Sequence, residues 1–494
     1  MQFANHGVGA MSTLIERIRQ WAAQKPDAEA VIMASHTLTY AELCAQIDSV
    51  ALELEANGCQ RLGIEASNHI DWLLVDLAAA SLRIPVVPIP LFFSTEQRNH
   101  LISNSGMDTL YCGQGIVPAS SLDRSSALLP GSYRRLASNH SFIDTAMSKI
   151  TYTSGSTGTP KGACLTDTTL LTIVESLANA LAPSALASHL CLLPFATLLE
   201  NVAGIYLPLW MGRSLVIDDN ERLGLLSNHS FDPKVFCAAV ARYRAESVIL
   251  LPQMLKALVE GGDLKALSSL KFIAVGGGKV APAVLEQALA AGLPVFEGYG
   301  LTECGSCVAL NTPGNAKVGS VGRPLEHANV RISANGEVIV TGAAMQGYLG
   351  ESSTLSDIAT GDAGYLDHDG YLYITGRIKN TIISSFGRNI SPEWVESVFL
   401  ASQDIGHIAV FGEAAPYLSA VVYAQSSCSD GQLEGIIKVI NTTLPDYAQV
   451  RVWHRANKPF NATDGTLTSN GKLCRARIAE VYGHALQQAC EEAA

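Results

Sequence analysis

The sequence predicts an α/β fold: a large N-terminal domain of helix-covered sheets with a β-rich subdomain, followed by a small α+β domain. Three observations support this. The chain has 494 residues, which is too long for one ordinary hydrophobic core. Strand-like runs alternate with helical stretches through its first part. The alternation gives way to β-hairpins after Gly319 and to a second mixed pattern after Arg377.

Two amphipathic helices come first. The stretch MSTLIERIRQWAAQ predicts a helix that ends before Pro26. One face of this helix carries four apolar residues, namely Leu14, Ile15, Ile18 and Trp21. After a short strand, a second helix is expected to begin near Thr39, with Glu42 in the position of a capping-box partner, and to end at Gly58.

The middle of the chain alternates between the two kinds of element. The strand-like runs are PVVPIP, SLVI, SVILL, KFIAVGG and PVFEGYG. The helical stretches between several of them include Pro233–Tyr243, Met254–Glu260 and Ala281–Ala291. Strands that alternate with helices predict parallel sheets covered by helices.

Hairpins and a final α+β unit follow. ANVRISANGEVIVTGAAM predicts a hairpin with an Asn-Gly turn, and GYLDHDGYLYITGR predicts another with an Asp-Gly turn. Beyond Arg377 we expect a hairpin, a helix over Pro392–Leu400, the strands HIAVFG and SAVVYA, a further helix and a polar loop. We place the boundary at Thr375–Asn380, which gives domains of residues 1–376 and 377–494.

Composition excludes several classes of protein. The formal net charge of −12 argues against a general nucleic-acid binder, although a local basic site can still hold a small anion. The N-terminus lacks an apolar signal core. The most apolar stretch, Asp71–Phe93, contains charged residues and prolines and predicts a buried helix and strand, so we expect no membrane span and a cytoplasmic protein.

Cysteine and histidine spacing does not predict a metal site. The eleven cysteines are scattered, and the pair Cys304 and Cys307 has no second pair at zinc-like spacing. Reduced thiols are therefore expected. We interpret five histidines as ordinary surface or core residues because they show no metal-ligand spacing: His69, His100, His140, His189 and His407.

The stretch ITYTSGSTGTPKGACLTD combines three glycines, many hydroxyl side chains and Lys161. The run KITYT predicts a strand, and the loop after it offers backbone amides and hydroxyls that can surround a polyphosphate. It is not a Walker loop, because Pro160 precedes the lysine. A flexible surface turn is the alternative, since glycine and serine clusters also mark ordinary loops.

Three further clusters point to a nucleotide. FEGYGLTECGS follows a strand and brings together Tyr299, Thr302 and Glu303, which could stack a base, touch a phosphate and hold Mg²⁺. TGDAGYLDHDGYLYITGR supplies a carboxylate, the natural partner of a ribose diol. TSNGKLCR places Lys472 in a loop, and a lone lysine there is usually solvated.

In this order the clusters resemble the adenylate-forming superfamily: acyl-CoA synthetases, amino-acid adenylating domains of peptide synthetases, and luciferases. The resemblance covers nearly the whole chain and is closest to fatty acyl-CoA synthetases. The phosphate loop, YGLTE, TGD, GR and NGK are jointly specific, although none decides alone. The resemblance implies a large N-terminal domain, a small mobile C-terminal domain and an active site between them.

The resemblance also implies a set of ATP-binding residues. Those around the β- and γ-phosphates are Thr153, Ser154, Gly155, Ser156, Thr157, Gly158, Thr159 and Lys161. Those around adenine are Gly277, Gly278 and Tyr299. Those that hold the ribose are Asp362 and Arg377.

The implied catalytic residues are Thr302, Glu303 and Lys472. Thr302 would bond the α-phosphate, Glu303 would coordinate Mg²⁺, and Lys472 would bridge the substrate carboxylate and the α-phosphate. Lys379 falls at the hinge position of the family. The implied cofactors are ATP, Mg²⁺ and CoA, or the phosphopantetheine of an acyl-carrier protein in place of CoA.

The implied chemistry is coherent. A carboxylate attacks the α-phosphorus of ATP and expels pyrophosphate, and cationic groups must offset the repulsion between these anions. A thiol then displaces AMP after the small domain rotates, which carries Lys472 away and brings the hairpin SSFGRN towards the thiol. Gly387 in that hairpin either admits a pantetheine arm or serves an ordinary turn.

The sequence defines the carboxylic acid substrate less well than it defines the nucleotide site. LLPFATLLENVAGIYLPLWMG resembles a long-chain synthetase segment, Leu-Pro-Leu-Ala-His-x-x-Glu, with Glu200 retained and Thr197 in place of histidine. The smaller side chain would widen the acyl entrance. Asn380 stands where the family usually has an acidic residue. Four apolar residues would suit an acyl chain or simply form a helix core: Leu198, Leu199, Val202 and Ala203.

The leading hypothesis is a synthetase that joins a medium- or long-chain fatty acid to CoA. An acyl-AMP ligase that loads an acyl-carrier protein is the nearest alternative, and an aryl-acid ligase is the third. A free amino acid is disfavoured, because we see no aspartate to hold its ammonium group. A non-catalytic nucleotide-binding regulator is disfavoured, because it need not retain Lys161, Glu303, Asp362 and Lys472.

Overall fold

Helices and strands alternate through most of the protein. The structure is a computed structural model, and it describes residues 13–114, 116, 123–136, 147–153, 160–227, 230–351, 357–386, 388–468 and 471–492. The α-helices are α1 (Leu14–Gln24), α2 (Tyr40–Ala56), α3 (Ile70–Ser81), α4 (Thr95–Ser105), α5 (Asp167–Leu181), α6 (Leu207–Trp210), α7 (Pro233–Tyr243), α8 (Pro252–Gly261), α9 (Pro282–Ala290), α10 (Pro392–Phe399), α11 (Asp430–Asn441) and α12 (Arg475–Glu492). A π-helix, Glu200–Tyr206, runs directly into α6.

Within the described residues, the strands fall into six sheets. In chain order they are β1 (Glu29–Met33), β2 (Thr37–Thr39), β3 (Leu62–Glu65), β4 (Val86–Pro88), β5 (Thr109–Cys112), β6 (Asp123–Ser125), β7 (Ser132–Arg135), β8 (Met147–Thr153), β9 (Lys161–Thr166), β10 (Ser188–Leu190), β11 (Ser214–Ile217), β12 (Leu225–Ser227), β13 (Ser230–Phe231), β14 (Ser247–Leu250), β15 (Phe272–Val275), β16 (Val295–Tyr299), β17 (Ala309–Leu310), β18 (Arg323–Pro324), β19 (Ala328–Ile332), β20 (Glu337–Gly342), β21 (Asp357–Leu366), β22 (Leu372–Arg377), β23 (Ile382–Ile383), β24 (Asn389–Ile390), β25 (Ile405–Phe411), β26 (Leu418–Ala424) and β27 (Val450–Arg455).

Two large sheets dominate the first part of the chain. The larger has the order β18-β17-β16-β15-β14-β10-β11-β1-β2, and its six inner strands from β16 to β1 are parallel. The second has the order β6-β7-β5-β3-β4-β8-β9, with β5, β3, β4 and β8 parallel. The predicted α/β class with parallel sheets is confirmed.

The two predicted hairpins form a four-stranded sheet of order β19-β20-β21-β22. Both predicted turns contain a glycine with positive φ, at Gly336 and Gly370, a conformation that residues with a Cβ seldom adopt. The last part of the chain has a three-stranded sheet, β25-β26-β27, with its own apolar core around Val395, Phe399 and Leu433. The boundary at residue 376 stays a prediction.

Local signals explain where the first helices start. Thr39 accepts a hydrogen bond from the backbone N–H of Glu42, whose carboxylate accepts one from the backbone N–H of Thr39, so the predicted capping box is present. Helix α1 ends at Gln24, with Lys25 as its C-cap, so it stops before Pro26 as predicted. No helix within the described ranges is long and apolar enough to cross a membrane.

Helices cover both faces of the nine-stranded sheet. On one face Phe272 and Leu215 belong to the same apolar core as α5, and on the other Val248 and Ile273 belong to the core that contains α7, α8 and α9. Residues that alternate along the strands therefore face two different cores. The carboxyl ends of β14, β15 and β16 lie side by side at one edge, where ligands bind in open α/β sheets.

Candidate active site

A cavity of about 2610 Å³ opens at this edge and extends to the last part of the chain. Ten of the predicted site residues line it: Thr153, Lys161, Gly277, Gly278, Tyr299, Thr302, Glu303, Asp362, Arg377 and Lys472. The other six, Ser154, Gly155, Ser156, Thr157, Gly158 and Thr159, lie outside the described residues. Residues far apart in sequence thus meet around one space.

The end of β16 meets the hairpin β21–β22 through one carboxylate. The Tyr299 hydroxyl donates to Oδ2 of Asp362 at 2.6 Å, and Arg377 Nε lies 2.8 Å from Oδ1. Arg377 also donates to the Thr360 carbonyl oxygen. Asp362 is buried, and burial raises its pKa. Each carboxylate oxygen keeps a second lone pair, so the group can still accept a ribose hydroxyl.

The loop after β15 brings its backbone close to this group. Gly277 has φ +79°, and a Cβ there would lie 3.1 Å from the Leu251 side chain. Both the conformation and the space therefore favour glycine. A flat ligand can approach the backbone of Gly277 and Gly278 on one side and Tyr299 on the other, because all three line the cavity.

Lys472 comes to this site from the other end of the chain. Just before α12 begins, the Lys472 carbonyl oxygen accepts a hydrogen bond from the Thr468 N–H. The lysine keeps solvent access, yet the surrounding protein desolvates its ammonium group. This desolvation, followed by repulsion from Arg377, lowers the pKa of Lys472, whereas Asp362 and Glu303 oppose the shift.

A match to a known protein family agrees with this geometry. The profile of the family described as AMP-binding enzyme matches residues 18–349. The chain belongs to the AMP-binding enzyme family. The predicted membership of the adenylate-forming superfamily is confirmed.

Curated relatives of this AMP-binding enzyme are CoA ligases. A feruloyl-CoA synthase of an Amycolatopsis species is 27% identical over an alignment of 505 positions, which covers 94% of this chain and 97% of the relative. The long-chain-fatty-acid–CoA ligase FadD15 of Mycobacterium bovis is 24% identical, over 90% of this chain and 91% of the relative. Aromatic and aliphatic acids are thus both represented among these names.

A solved structure shares the fold. The o-succinylbenzoate CoA synthetase of Bacillus subtilis, in complex with its acyl-adenylate intermediate, superimposes with a TM-score of 0.76 at 23% identity. The match covers 94% of this chain and 97% of that protein. The predicted architecture is therefore also found in an experimentally solved structure.

The sequence did not reveal Tyr348, which joins two predicted site residues. Its hydroxyl donates to Oε1 of Glu303 at 2.7 Å, and Lys161 Nζ lies 4.9 Å from the centre of its ring. Lys161 also pairs with Glu351 at 3.0 Å. Tyr348 therefore connects Lys161, which is predicted to bind phosphate, to Glu303, which is predicted to bind magnesium.

The segment around Tyr348 is held by backbone hydrogen bonds on both sides. The Met345 N–H donates to the Glu303 carbonyl oxygen, while the Gln346 N–H donates to Cys164 and the Leu349 N–H to Gly162 on β9. We call residues 345–351 the strap. It ties the strand that begins at Lys161 to the loop that carries Glu303.

Part of the cavity is lined by apolar side chains of the nine-stranded sheet, α5, the π-helix and α6, and we call this part the apolar branch. Its walls include Leu177, Leu181, Ala203, Leu207, Ile249, Phe272 and Ala274. Thr197, Leu198 and Leu199 also line the cavity, whereas Val202 is fully buried in the core. The Thr197 hydroxyl donates to the Pro194 carbonyl oxygen, so the hydroxyl hydrogen of this residue is already engaged.

The second departure from the family has a structural partner. Asn380 Nδ2 donates to Oε1 of Glu393 at 2.5 Å. An acidic residue at position 380 would place two carboxylates face to face, so the amide suits this chain. Gly387 of the predicted thiol-facing hairpin lies outside the described residues.

Proposed function

We propose that this AMP-binding enzyme is an AMP-forming acid–CoA ligase, and that its acid is a medium- or long-chain fatty acid. The observation that carries the proposal is the position of Lys472 in the cavity that Glu303, Asp362 and Arg377 also line. A cation from the end of the chain thus reaches a nucleotide-type site that opens into an apolar branch. Nucleotide binding alone would not need that combination.

In the first step the substrate carboxylate attacks the α-phosphorus, an acyl–oxygen–phosphorus bond forms, and the bond to pyrophosphate breaks. Both reactants are anionic, so the ammonium of Lys472 would lie against the carboxylate and the α-phosphate as charge shifts between them. Thr302 would donate to the α-phosphate. Lys161 and the loop from Thr153 to Thr159 would surround the departing phosphates.

The residues present fit a magnesium ion. Tyr348 occupies Oε1 of Glu303 with a hydrogen bond and leaves Oε2 for a cation. Mg²⁺ prefers oxygen ligands and is usually held by one or two carboxylates together with substrate phosphates and waters. When bound, it would neutralise charge on the phosphates.

In the second step the CoA thiolate attacks the acyl carbon, a thioester forms and AMP leaves with the bonding electrons. Lys472 would have to withdraw for the thiol to enter, and Lys379, exposed at the rim of the cavity, would be the point of rotation. Phosphopantetheine carries the same thiol, so an acyl-carrier protein stays an alternative acceptor.

The apolar branch supports an aliphatic acid. It reaches from Ala274 and Phe272 to Leu181 and Leu186, beside the first residues of β10 and β14. An extended acyl chain can lie along the sheet there, with its methyl end among leucines. Burying each methylene would contribute about 0.8 kcal/mol, which favours longer chains.

An aryl acid is the second candidate. Phe272 lines the branch and stacks on Phe296, with ring centres 4.9 Å apart, so an aromatic surface faces part of the acyl site. The feruloyl-CoA synthase is similar along nearly the whole chain. The same cavity therefore has features that suit each class of acid.

A panel of acids tests the proposal. Pyrophosphate release would be measured with saturated fatty acids of increasing length, with hydroxycinnamic and benzoic acids, and without acid. We expect release that depends on acid and rises with chain length, and thioester formation with CoA rather than with a purified carrier protein. Release with aryl acids alone would contradict the fatty-acid proposal, and no acid-dependent release would contradict the ligase proposal.

A further inference from the structure

Three potential metal-binding side chains meet beside the acyl branch. His189 lies on β10, Cys191 follows this strand, and Glu200 begins the π-helix. All three are buried, with exposures of 4%, 0% and 0%. One nitrogen, one sulfur and one oxygen from these residues lie within 4.8 Å of one another. Sequence spacing gave no sign of this cluster, because the π-helix brings the glutamate back to the strand.

Hydrogen bonds fix the orientation of the imidazole. The Ser247 hydroxyl donates to the Ser188 carbonyl oxygen at 2.9 Å, so it accepts from His189 Nδ1 at 3.0 Å. A neutral imidazole then carries a lone pair on Nε2. A partner that fixes the other ring nitrogen in this way is the usual companion of a metal-ligating histidine.

The cluster leaves polar atoms without well-aligned partners. His189 Nε2 and both carboxylate oxygens of Glu200 are buried, and no well-aligned hydrogen bond within the described residues satisfies them. The backbone N–H groups of Leu192 and Leu193 approach the Glu200 carboxylate and only partly oppose the rise in its pKa. Nε2 lies 3.4 Å from Oε1, so these two atoms must share either a proton or a cation. Buried unpaired groups of this kind are costly, and a cation between them would remove the cost.

Gly204 makes room for this arrangement. A Cβ at Gly204 would lie 2.6 Å from Oε1 of Glu200 and 3.0 Å from Nε2 of His189. The Gly204 carbonyl oxygen accepts from the Cys191 thiol at 3.6 Å, so a further oxygen ligand lies beside the sulfur. π-helical turns are rare and are found frequently at functional sites.

We propose that His189, Cys191 and Glu200 bind one divalent transition-metal ion, with zinc the best match. A neutral imidazole, a thiolate and a carboxylate balance a dication with no net charge left in the core, and these are the three ligand types that zinc takes. Binding would release the thiol proton to solvent, together with any proton on the carboxyl group. The ion would join β10 to the π-helix, behind the wall of the acyl branch that His189 and Ser247 line.

A shared proton is the competing occupant. Burial raises the pKa of both Glu200 and the Cys191 thiol, and a protonated carboxyl group could face the imidazole without any metal. The two occupants differ in one observable respect, since only a metal converts Cys191 to a bound thiolate. The proposal does not depend on which acid or acceptor the enzyme uses.

Cobalt is the direct probe. The full chain, stripped with a chelator and titrated with Co²⁺, should bind about one ion per chain and develop the charge-transfer absorption of a cobalt–thiolate bond. Added Zn²⁺ should abolish the band. Cys191→Ser should lose it, whereas Cys237→Ser, which removes another buried thiol from the opposite core, should keep it.

Two results would overturn the proposal: no thiolate band in the wild-type protein, or a band that survives in Cys191→Ser. Because substitution of a buried side chain can unfold a protein, the wild-type melting temperature gives a second readout that does not depend on the variant. Zn²⁺ should raise the melting temperature of the stripped protein and a chelator should lower it again. A melting temperature that responds to neither would assign the cluster to a shared proton.

Discussion

At the scale of single residues, Tyr348 shows how the site is assembled. Its hydroxyl holds one oxygen of Glu303, and its ring lies beside Lys161. Neither contact is local in sequence. The tyrosine therefore positions two groups of the proposed phosphate site without having to touch the reacting atoms.

Removal of this hydroxyl should weaken magnesium binding. In Tyr348→Phe we expect the Mg²⁺ concentration for half-maximal pyrophosphate exchange to rise about tenfold, since loss of a group that orients a metal ligand costs at least that much affinity. Exchange at saturating Mg²⁺ should change less. Tyr365→Phe, at an exposed tyrosine that stacks on Tyr373, serves as the control. An unchanged Mg²⁺ requirement would contradict the assigned role.

Lys472 should give the first reaction an alkaline limit. Desolvation lowers its pKa below the ordinary 10.5, so the ammonium loses its proton, and with it the positive charge, at a lower pH than a solvated lysine. We expect the acid-dependent exchange rate to fall as pH rises through this lowered pKa. Lys472→Arg should be slower but should lack that limb, because the guanidinium stays charged. An identical limb in both proteins would assign it to another group.

Much of the site could be predicted from local motifs, and the rest depended on tertiary contacts. Tyr299, Asp362 and Arg377 were found because each sits in a short distinctive run, and they do meet. Tyr348 was missed because its role comes from the pairing of the strap with β9, which no local pattern reveals. The charged neighbours of Lys472, among them Arg377 and Asp362, are likewise distant in sequence and could be identified only from the folded structure.

At the scale of elements, a buried polar network joins α3, β8 and the π-helix. Lys149 Nζ lies 3.0 Å from Oδ1 of Asp76, and it also donates to Asn201 and to the Tyr206 hydroxyl. Both charged side chains are almost completely buried. Burial alone lowers the pKa of Lys149, and Asp76 opposes that shift. The network fixes β8, the strand that precedes the loop predicted to bind phosphate.

Breaking this pair should destabilise the protein more than replacing both members. Lys149→Met leaves the Asp76 carboxylate buried without a counter-charge, which costs about 3–5 kcal/mol. The double variant Asp76→Leu/Lys149→Met buries no charge and should recover part of the loss. The apparent midpoint of denaturant unfolding measures the stability of the single and of the double variant. A double variant as unstable as the sum of the single ones would show that the pair is not coupled.

Elements differ in how well the sequence specifies them. The capping box at Thr39 and the two glycine turns were predicted because their signals lie within a few residues. The π-helix was not, because an apolar run such as LLENVAGIY does not distinguish a wide helical turn from an ordinary one. Sheet order was also out of reach, since strands distant in sequence are neighbours: Val31 on β1 pairs with Leu215 on β11.

At the scale of the whole molecule, both apolar and polar groups hold the last part of the chain against the first: Ala401 packs against the core that contains α8 and α9. Lys256 on α8 donates to the Ser402 carbonyl oxygen at 2.8 Å, with the Ile405 carbonyl oxygen at 3.5 Å. Ser402 lies between α10 and β25, and Ile405 is the first residue of β25. Lys472 lines the cavity in this same arrangement, so we infer that these contacts favour the proposed adenylation step over the proposed thioester-forming step.

Loss of the Lys256 contact should therefore separate the two half-reactions. In Lys256→Met we expect adenylation to slow by about tenfold, the effect of losing one hydrogen bond to a charged group. Thioester formation from preformed acyl-adenylate should not slow. Lys271→Met, which removes a surface ion pair with Glu246, is the control. Equal slowing of both steps would mean that Lys256 only supports folding.

The most direct measurement is acid-dependent ATP–pyrophosphate exchange by Lys472→Ala, compared with Lys438→Ala, an exposed lysine of the same part of the chain. Removal of one preorganised charge at the reacting groups should slow exchange about 100- to 1000-fold, while the control keeps the wild-type rate. Exchange by Lys472→Ala at the wild-type rate would contradict the claim that a lysine from the end of the chain makes the reaction between two anions feasible.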